Sequence, residues 1–215
     1  FDIFNAKQVI LETSNMSLQT NYTVSVSGLQ DCSGNLLTST LSANFGIPEP
    51  AEALDIILNE VTPEAFSGGK RFVEVYNNSA KFINLAGWQI GRVDETGAVD
   101  ATVSMSSSAL ILAPNSYYAF TGSLTQTKSD YPSGAFDRII ETSSDMPSFG
   151  YDEENQTVVL LNASGQEMDR FVIQEEYQFE LISDTRGVSL ERVDFNSPTN
   201  DGNNWDSNWN PIWYA

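Results

Sequence analysis

The stretch Asp55–Trp88, which contains D-I-I-L-N-E-V, R-F-V-E-V-Y-N and L-A-G-W, decides the fold. Asp55–Val61 is a short apolar run of strand length, and Arg71–Asn77 alternates with a period of two. A proline and a pair of glycines between the two runs mark a loop. Trp88 is large enough to fill the centre of a packed core. The pattern predicts an all-β sandwich.

An ordered series of short motifs runs through the chain from Leu54 to Arg192. The series comprises N-E-V (Asn59–Val61), F-V-E-V-Y-N (Phe72–Asn77), L-A-G-W-Q-I (Leu85–Ile90), L-I-L-A-P (Leu110–Pro114) with Tyr117-Tyr118, the hairpin segments Thr157–Asn162 and Met168–Val172, and Gly187–Arg192. This series resembles the lamin tail domain family, in its bacterial secreted branch. It departs from the family at Asn115-Ser116, where the family usually has a glycine.

The resemblance implies an immunoglobulin-like β-sandwich. Members of the family end the nuclear lamins and also occur in bacterial secreted proteins, where they serve as interaction surfaces and carry no single activity. The resemblance therefore implies a fold and a location outside the cytoplasm, but no ligand.

The N-terminal region reads as a separate β-hairpin. Asn21–Gly28 alternates strictly, Asp31–Asn35 is a turn cluster, and Leu41–Phe45 forms the returning strand. The hairpin resembles the last two strands of bacterial surface immunoglobulin-like domains. The predicted organisation is the C-terminal part of such a domain at residues 1–46, a proline-containing linker at 47–53, and a lamin-tail-like sandwich with an acidic, tryptophan-rich tail at 54–215.

The composition excludes several classes of function. Lys and Arg number 10 against 29 Asp and Glu, a net charge of −19 that repels nucleic acid and anionic membranes. No apolar run has the length of a membrane span. The absence of histidine removes His-based triads and most transition-metal sites, and the single Cys32 excludes an internal disulfide. We expect no enzyme, no nucleic-acid partner and no transmembrane segment.

The chain begins Phe1-Asp-Ile-Phe and has no basic-then-apolar signal segment there. We therefore expect it to be a processed or excised piece of a longer secreted or cell-surface protein.

The acidic tail is the candidate metal site. It carries hard oxygen donors at short spacings, the ligands that calcium prefers, at Asp194, Asn196, Asp201, Asn203 and Asp206. The spacing is not that of an EF-hand. The alternative is that these side chains hold Asx-turns in a solvated loop.

Exposed aromatic residues are candidates for stacking on sugar rings. The candidates are Trp209, Trp213, Tyr214 and Tyr131, with core or interface packing as the alternative. A similar Asn-Trp segment often ends bacterial lamin-tail-like domains, which favours a structural role for Trp205.

Acidic pairs at Asp152–Glu154 and Glu175-Glu176 raise the possibility of glycosidase chemistry, but adjacent residues usually point apart. Glu60, Glu74, Glu191 and Arg192 lie inside apolar strand motifs, where a Glu–Arg pair would support the sheet. Gly122–Gly150 reads as a long irregular insertion with few apolar anchors.

The sequence thus predicts a non-catalytic interaction or scaffold module of a secreted or cell-surface bacterial protein, used in adhesion or attachment. Its partner would be a protein or a cell-surface glycan, and it would need no cofactor. The alternative is a calcium-assisted carbohydrate- or protein-binding appendage of a larger surface hydrolase.

Overall fold

A computed structural model describes residues 10–134, 136–151 and 156–208. The strands are β1 (Tyr22–Val26), β2 (Leu41–Phe45), β3 (Ile56–Val61), β4 (Phe72–Asn77), β5 (Ile83–Asn84), β6 (Gln89–Val93), β7 (Val99–Ser104), β8 (Ile111–Leu112), β9 (Tyr117–Thr121), β10 (Ile139–Glu141), β11 (Thr157–Leu161), β12 (Glu167–Val172), β13 (Ser189–Arg192) and β14 (Trp205–Asn208). One α-helix, α1, spans Leu124–Asp130 in these ranges. Within the described residues, no helix has both the length and the apolar character needed to cross a membrane.

Two sheets face each other across one main core. The larger has the strand order β10-β9-β4-β3-β13-β14, and the smaller has the order β12-β11-β6-β7. Apolar residues alternate into the space between them, and the core includes Ile56, Leu58, Val75, Trp88, Ile90, Val158, Leu160 and Phe171. The predicted all-β immunoglobulin-like sandwich is confirmed.

A β-bulge in β3 explains the N-E-V motif. The register against β4 shifts between Leu58 and Glu60, so Asn59 is the extra residue. Leu58 and Val61 both lie in the core between the sheets, although they are three positions apart. In a regular strand, residues at that spacing point to opposite faces. The bulge therefore corrects the phase and leaves Glu60 on the outer face, opposite Glu74.

The prediction of an irregular insertion at Gly122–Gly150 is wrong in part. Helix α1 begins there, and its N-cap Ser123 accepts a hydrogen bond from the Gln126 backbone N–H. A 3-10 turn and β10 follow, and β10 pairs in parallel with β9. A second apolar cluster, made of Phe72, Ala119, Tyr131 and Ile139 with Leu124 and Phe136 packed against it, anchors this segment to the outer face of the larger sheet. The acidic tail also contains a strand, β14.

The N-terminal hairpin forms as predicted. β1 pairs antiparallel with β2, and Tyr22 lies opposite Phe45. The side chains of β2 are exposed, including Leu41 at 56%. The Asp31 carboxylate accepts hydrogen bonds from the backbone N–H groups of Ser33 and Asn35, so it holds the turn. Membership of a larger immunoglobulin-like domain stays a prediction.

Gly187, just before β13, packs against Phe66 in the loop between β3 and β4, and this contact can be tested. Its φ is +76°, and a Cβ there would lie 2.1 Å from the Phe66 ring. We expect Gly187→Ala to lower the free energy of unfolding by roughly 2–4 kcal/mol, from backbone strain and overpacking together. Gly97 is the matched control, with a φ of +86° and nothing within 4 Å. Urea unfolding of Gly97→Ala should show the strain alone, about 1 kcal/mol; equal losses in the two variants would contradict the clash.

Candidate functional site

The predicted calcium ligands cap their own turns. Asp194 Oδ1 accepts from the Asn196 backbone N–H at 2.9 Å, and Asp201 Oδ1 accepts from the Asn203 backbone N–H at 3.0 Å. Asp206 Oδ1 accepts from the next backbone N–H. The bonds to Asp194, led by the Asn196 N–H, lower the pKa of its carboxyl group. This geometry fits Asx-turns.

The described part of the tail does not converge on a metal. In residues 10–134, 136–151 and 156–208, no group of three Asp, Glu, Cys or His side chains has the geometry to hold an ion. Calcium normally takes six to eight oxygen ligands. Calcium binding therefore stays a prediction, and the donor set present does not fit it.

A calcium titration tests this point. We expect millimolar calcium to leave the unfolding midpoint unchanged, because the Asp194 and Asp201 carboxylates already accept hydrogen bonds from their own loop. A site filled a hundredfold above its Kd would add about 2.7 kcal/mol, which is a rise of several degrees in the midpoint. Magnesium at equal ionic strength is the control. A rise that is specific to calcium would restore the site.

The aromatic candidates separate into two groups. Trp209, Trp213 and Tyr214 lie outside the described residues, so their role stays a prediction. Tyr131 is only 5% exposed, and its hydroxyl donates to the Gly187 carbonyl oxygen at 3.1 Å. Its ring packs edge-on against Phe72. Tyr131 is therefore not an exposed stacking surface. The alternative of core packing holds for it, because Phe72 and Phe66 pack against its ring.

The adjacent acidic pairs form no catalytic site in the described residues. Asp152–Glu154 lies outside them. Glu175 and Glu176 lie on an exposed 3-10 turn at Glu175–Tyr177. Glycosidase chemistry requires two carboxyl groups on opposite sides of one cleft, and neighbours on an exposed turn do not provide that.

Trp205 is buried and structural, as predicted. Its ring stacks on Phe171 of the opposite sheet, with centroids 3.7 Å apart. Its Nε1 donates to the Thr199 carbonyl oxygen at 2.6 Å. The Arg192 guanidinium lies over the same ring, 5.3 Å from its centroid. The tail is thereby attached to both sheets.

Arg192 pairs across the sandwich and not with a neighbouring strand. Its Nη2 lies 3.4 Å from Asp169 Oδ2, and the two side chains are 1% and 2% exposed. Arg192 also donates to the Leu58 carbonyl oxygen at 2.9 Å and to Thr199 Oγ1 at 2.7 Å. Asp169 accepts from the Leu58 backbone N–H and from Thr199 Oγ1. This network, which sequence reasoning missed, joins β12, β13, β3 and the tail.

Four acidic side chains form a row across the outer face of the larger sheet. Glu74 lies opposite Glu60, Glu60 opposite Glu191, and Glu191 opposite Asp206, on β4, β3, β13 and β14. Glu60 is 2% exposed and Glu74 is 5% exposed. Like charges directly opposite each other destabilise a sheet. Among the described residues, neither of the two buried members forms an ion pair with Lys or Arg.

Protons compensate for part of this repulsion. Burial raises the pKa of Glu74 to about 7. Burial, together with the nearby charge of Glu74, also raises the pKa of Glu60 well above its usual value. Glu60 Oε1 accepts a hydrogen bond from Ser189 Oγ, and Glu74 Oε1 accepts from Asn59 Nδ2 at 2.7 Å. The two carboxyls are thus held on the sheet, where burial favours their neutral, protonated form.

Comparison with known proteins identifies the family to which the chain belongs. A comparison with curated proteins finds no match. The sequence profile of the lamin tail domain matches residues 49–175, more than half of the 215-residue chain. The matched range includes the bulged N-E-V strand, β4, Trp88 and the β11–β12 hairpin that carries Asp169. On this match, the chain belongs to the lamin tail domain family.

Proposed function

We propose that this chain is a non-catalytic interaction or scaffold module of a secreted or cell-surface bacterial protein, with attachment to a protein or a cell-surface glycan as its role. The lamin tail domain is a family of non-catalytic, immunoglobulin-like interaction domains, which supports the coarser part of the proposal. The net charge of −19 suits an extracytoplasmic surface that must stay soluble.

The observation that carries the non-catalytic part is the placement of the perturbed acids. Groups with raised pKa values often mark active sites. Here Glu60 and Glu74 are buried in the sheet and are held by Ser189 and Asn59. Acid–base chemistry on a substrate needs such groups within hydrogen-bond reach of the reacting atoms. Carboxyls that are buried on the face of a sheet and bonded to side chains of its own strands support the sheet instead.

The test has two arms. The purified chain is screened by glycan array and calorimetry against cell-surface polymers and surface proteins, and separately against a panel of glycoside and ester substrates. We expect binding in the first arm and no turnover in the second. Turnover that persists through purification, and that is lost on Glu60→Gln or Glu74→Gln, would overturn the non-catalytic assignment. Absence of binding to every polymer and protein surface tested would overturn the attachment role.

A further inference from the structure

The smaller sheet has two edge strands, β12 and β7, and they differ in whether their outward backbone groups have hydrogen-bond partners. At the β12 edge, Asn200 takes the place of a neighbouring strand. Its Oδ1 accepts from the Val172 backbone N–H at 2.8 Å, and its Nδ2 donates to the Arg170 carbonyl oxygen at 2.9 Å. A row of unpaired backbone groups is a template for pairing with another chain, and a side chain that occupies the row blocks such pairing. The β12 edge is closed.

The opposite edge, β7, is open. The Met105 backbone N–H donates to the Trp88 carbonyl oxygen, and the register pairs Val103 with Ile90. Hydrogen-bonded positions alternate along an antiparallel pair, so Ala101 and Val103 bond to β6. The N–H and C=O groups of Thr102 and Ser104 therefore point away from β6. No hydrogen bond joins them to another part of residues 10–134, 136–151 or 156–208 outside the β6 ladder.

The β7 edge is protected at its start, where Asp100 is a bulged and charged residue, but not along the rest of the strand. Its six residues, V-D-A-T-V-S, include no lysine, proline or glycine, and β7 is the last strand in the order of the smaller sheet. Beyond Ser104 the edge leads into a cavity of about 270 Å³ between the ends of β7 and β10. Serine and threonine hydroxyls line this cavity together with Met105 and the half-buried Ile140. A strand added at this edge could form backbone hydrogen bonds with Thr102 and Ser104 and place a side chain in the cavity beyond Ser104.

The charge around the edge selects the occupant. Asp94 and Glu95 form the turn that leads into β7, Asp100 lies on the strand, and Glu141 lines the cavity at its far end. Among the described residues, Asp100 forms an ion pair with Arg92 of the neighbouring strand, and the charge of Asp94 also acts on that guanidinium. A second copy of this edge would bring the same acids against one another, whereas a basic strand would complement them.

We propose that the β7 edge accepts an extended, lysine- or arginine-bearing segment of a partner protein as a fifth strand of the smaller sheet. This inference rests on the proposed interaction role and names the partner class for it. Main-chain hydrogen bonds to Thr102 and Ser104 supply binding, and the acids at either end select basic side chains.

The probe is a fluorescein-labelled peptide, K-T-V-T-V-T-K, titrated against the whole chain by anisotropy. Thr102→Pro removes an outward N–H that the β6 ladder does not use, and we expect it to weaken binding at least tenfold. Thr102→Val is the matched control, because it keeps the backbone N–H, and it should bind like the parent chain. A peptide with glutamate in place of both lysines should bind at least tenfold more weakly.

Amide exchange on the parent chain gives a second readout that does not depend on how Thr102→Pro folds. On adding the peptide, the amides of Thr102 and Ser104 should gain protection, while those of Ala101 and Val103, already bonded to β6, should not change. The proposal would be overturned if the peptide did not bind, if the two Thr102 variants bound it equally, or if amide protection appeared elsewhere in the chain. Self-association through the β7 edge, detected by sedimentation, would also overturn it. Substrate turnover would remove the proposed function and leave these edge results untouched, so the two failures are distinguishable.

Discussion

Replacing Arg192 with methionine is expected to lower the free energy of unfolding by about 3–5 kcal/mol, because removing one member of a buried ion pair leaves the other uncompensated. Asp169 would keep its bonds from the Leu58 backbone N–H and Thr199 Oγ1 but would lose its cation in a site that is 2% exposed. The Leu58 carbonyl oxygen would also lose its donor.

The Arg192→Met substitution should also loosen the attachment of the tail to the sandwich. Arg192 lies over Trp205 and donates to the Ser197 carbonyl oxygen, so it holds the segment that crosses the end of the sandwich. For a chain of this size, 1 kcal/mol corresponds to about 2–4 °C in the unfolding midpoint, so a fall of roughly 10 °C or more is expected. Tryptophan fluorescence should show the change, since Trp205 would no longer lie beneath a cation.

Arg170→Met is the matched control. Arg170 is the same residue type on β12, but its partner Glu167 is 42% exposed, and surface pairs of this kind contribute at most about 1 kcal/mol. The double variant Arg192→Met with Asp169→Leu should recover much of the loss, because a hydrophobic pair can replace a buried ion pair at little cost. If Arg192→Met unfolds at the same urea concentration as Arg170→Met, the network does not join the sheets as described.

Residues that are close in sequence were predictable in this chain. Alternation placed β4 and the N-terminal hairpin, a short apolar run placed β3, and the Trp88 motif placed the centre of the core. Such patterns work because a strand with one buried face must repeat every second residue. The Ser123 cap of α1 was also present in the sequence, but the helix is short and polar, so it gives a weak periodic signal.

Residues whose partners lie across the sandwich were not predictable. Asp169 and Arg192 come from opposite sheets, and nothing local in either strand specifies the other. Tyr131 was a candidate for an exposed ring because it lies in a polar segment predicted to be irregular, yet Phe72, from a strand far earlier in the chain, packs against its ring. The acidic row likewise depends on the bulge at Asn59, which brings Glu60 opposite Glu74. Register and bulges arise from the assembled sheet, and a single strand does not reveal them.

The acidic row makes a second large effect predictable: the protein should lose stability as pH rises from about 4.5 to 8. The usual effect of a carboxylate has the opposite sign. Burial raises the pKa of Glu74 to about 7 from an ordinary value of 4.5, so the folded state holds a proton that the unfolded state has released. Stability falls with rising pH wherever the folded state binds more protons. Glu60, whose pKa is also raised by burial and by the charge of Glu74, adds to the same slope.

Glu74→Gln isolates this contribution. The amide oxygen can still accept from Asn59 Nδ2, but the side chain no longer ionises. A rise in pKa from 4.5 to about 7 corresponds to about 3 kcal/mol, so the free energy of unfolding of the variant should exceed that of the parent by about that amount at pH 8 and match it near pH 4.5. Urea unfolding at both pH values measures the difference, in which the general repulsion of the acidic surface largely cancels. Glu175→Gln, an exposed carboxylate on a 3-10 turn, is the control and should leave the slope unchanged. If Glu74→Gln is no more stable than the parent chain at pH 8, Glu74 does not hold a proton in the folded sheet.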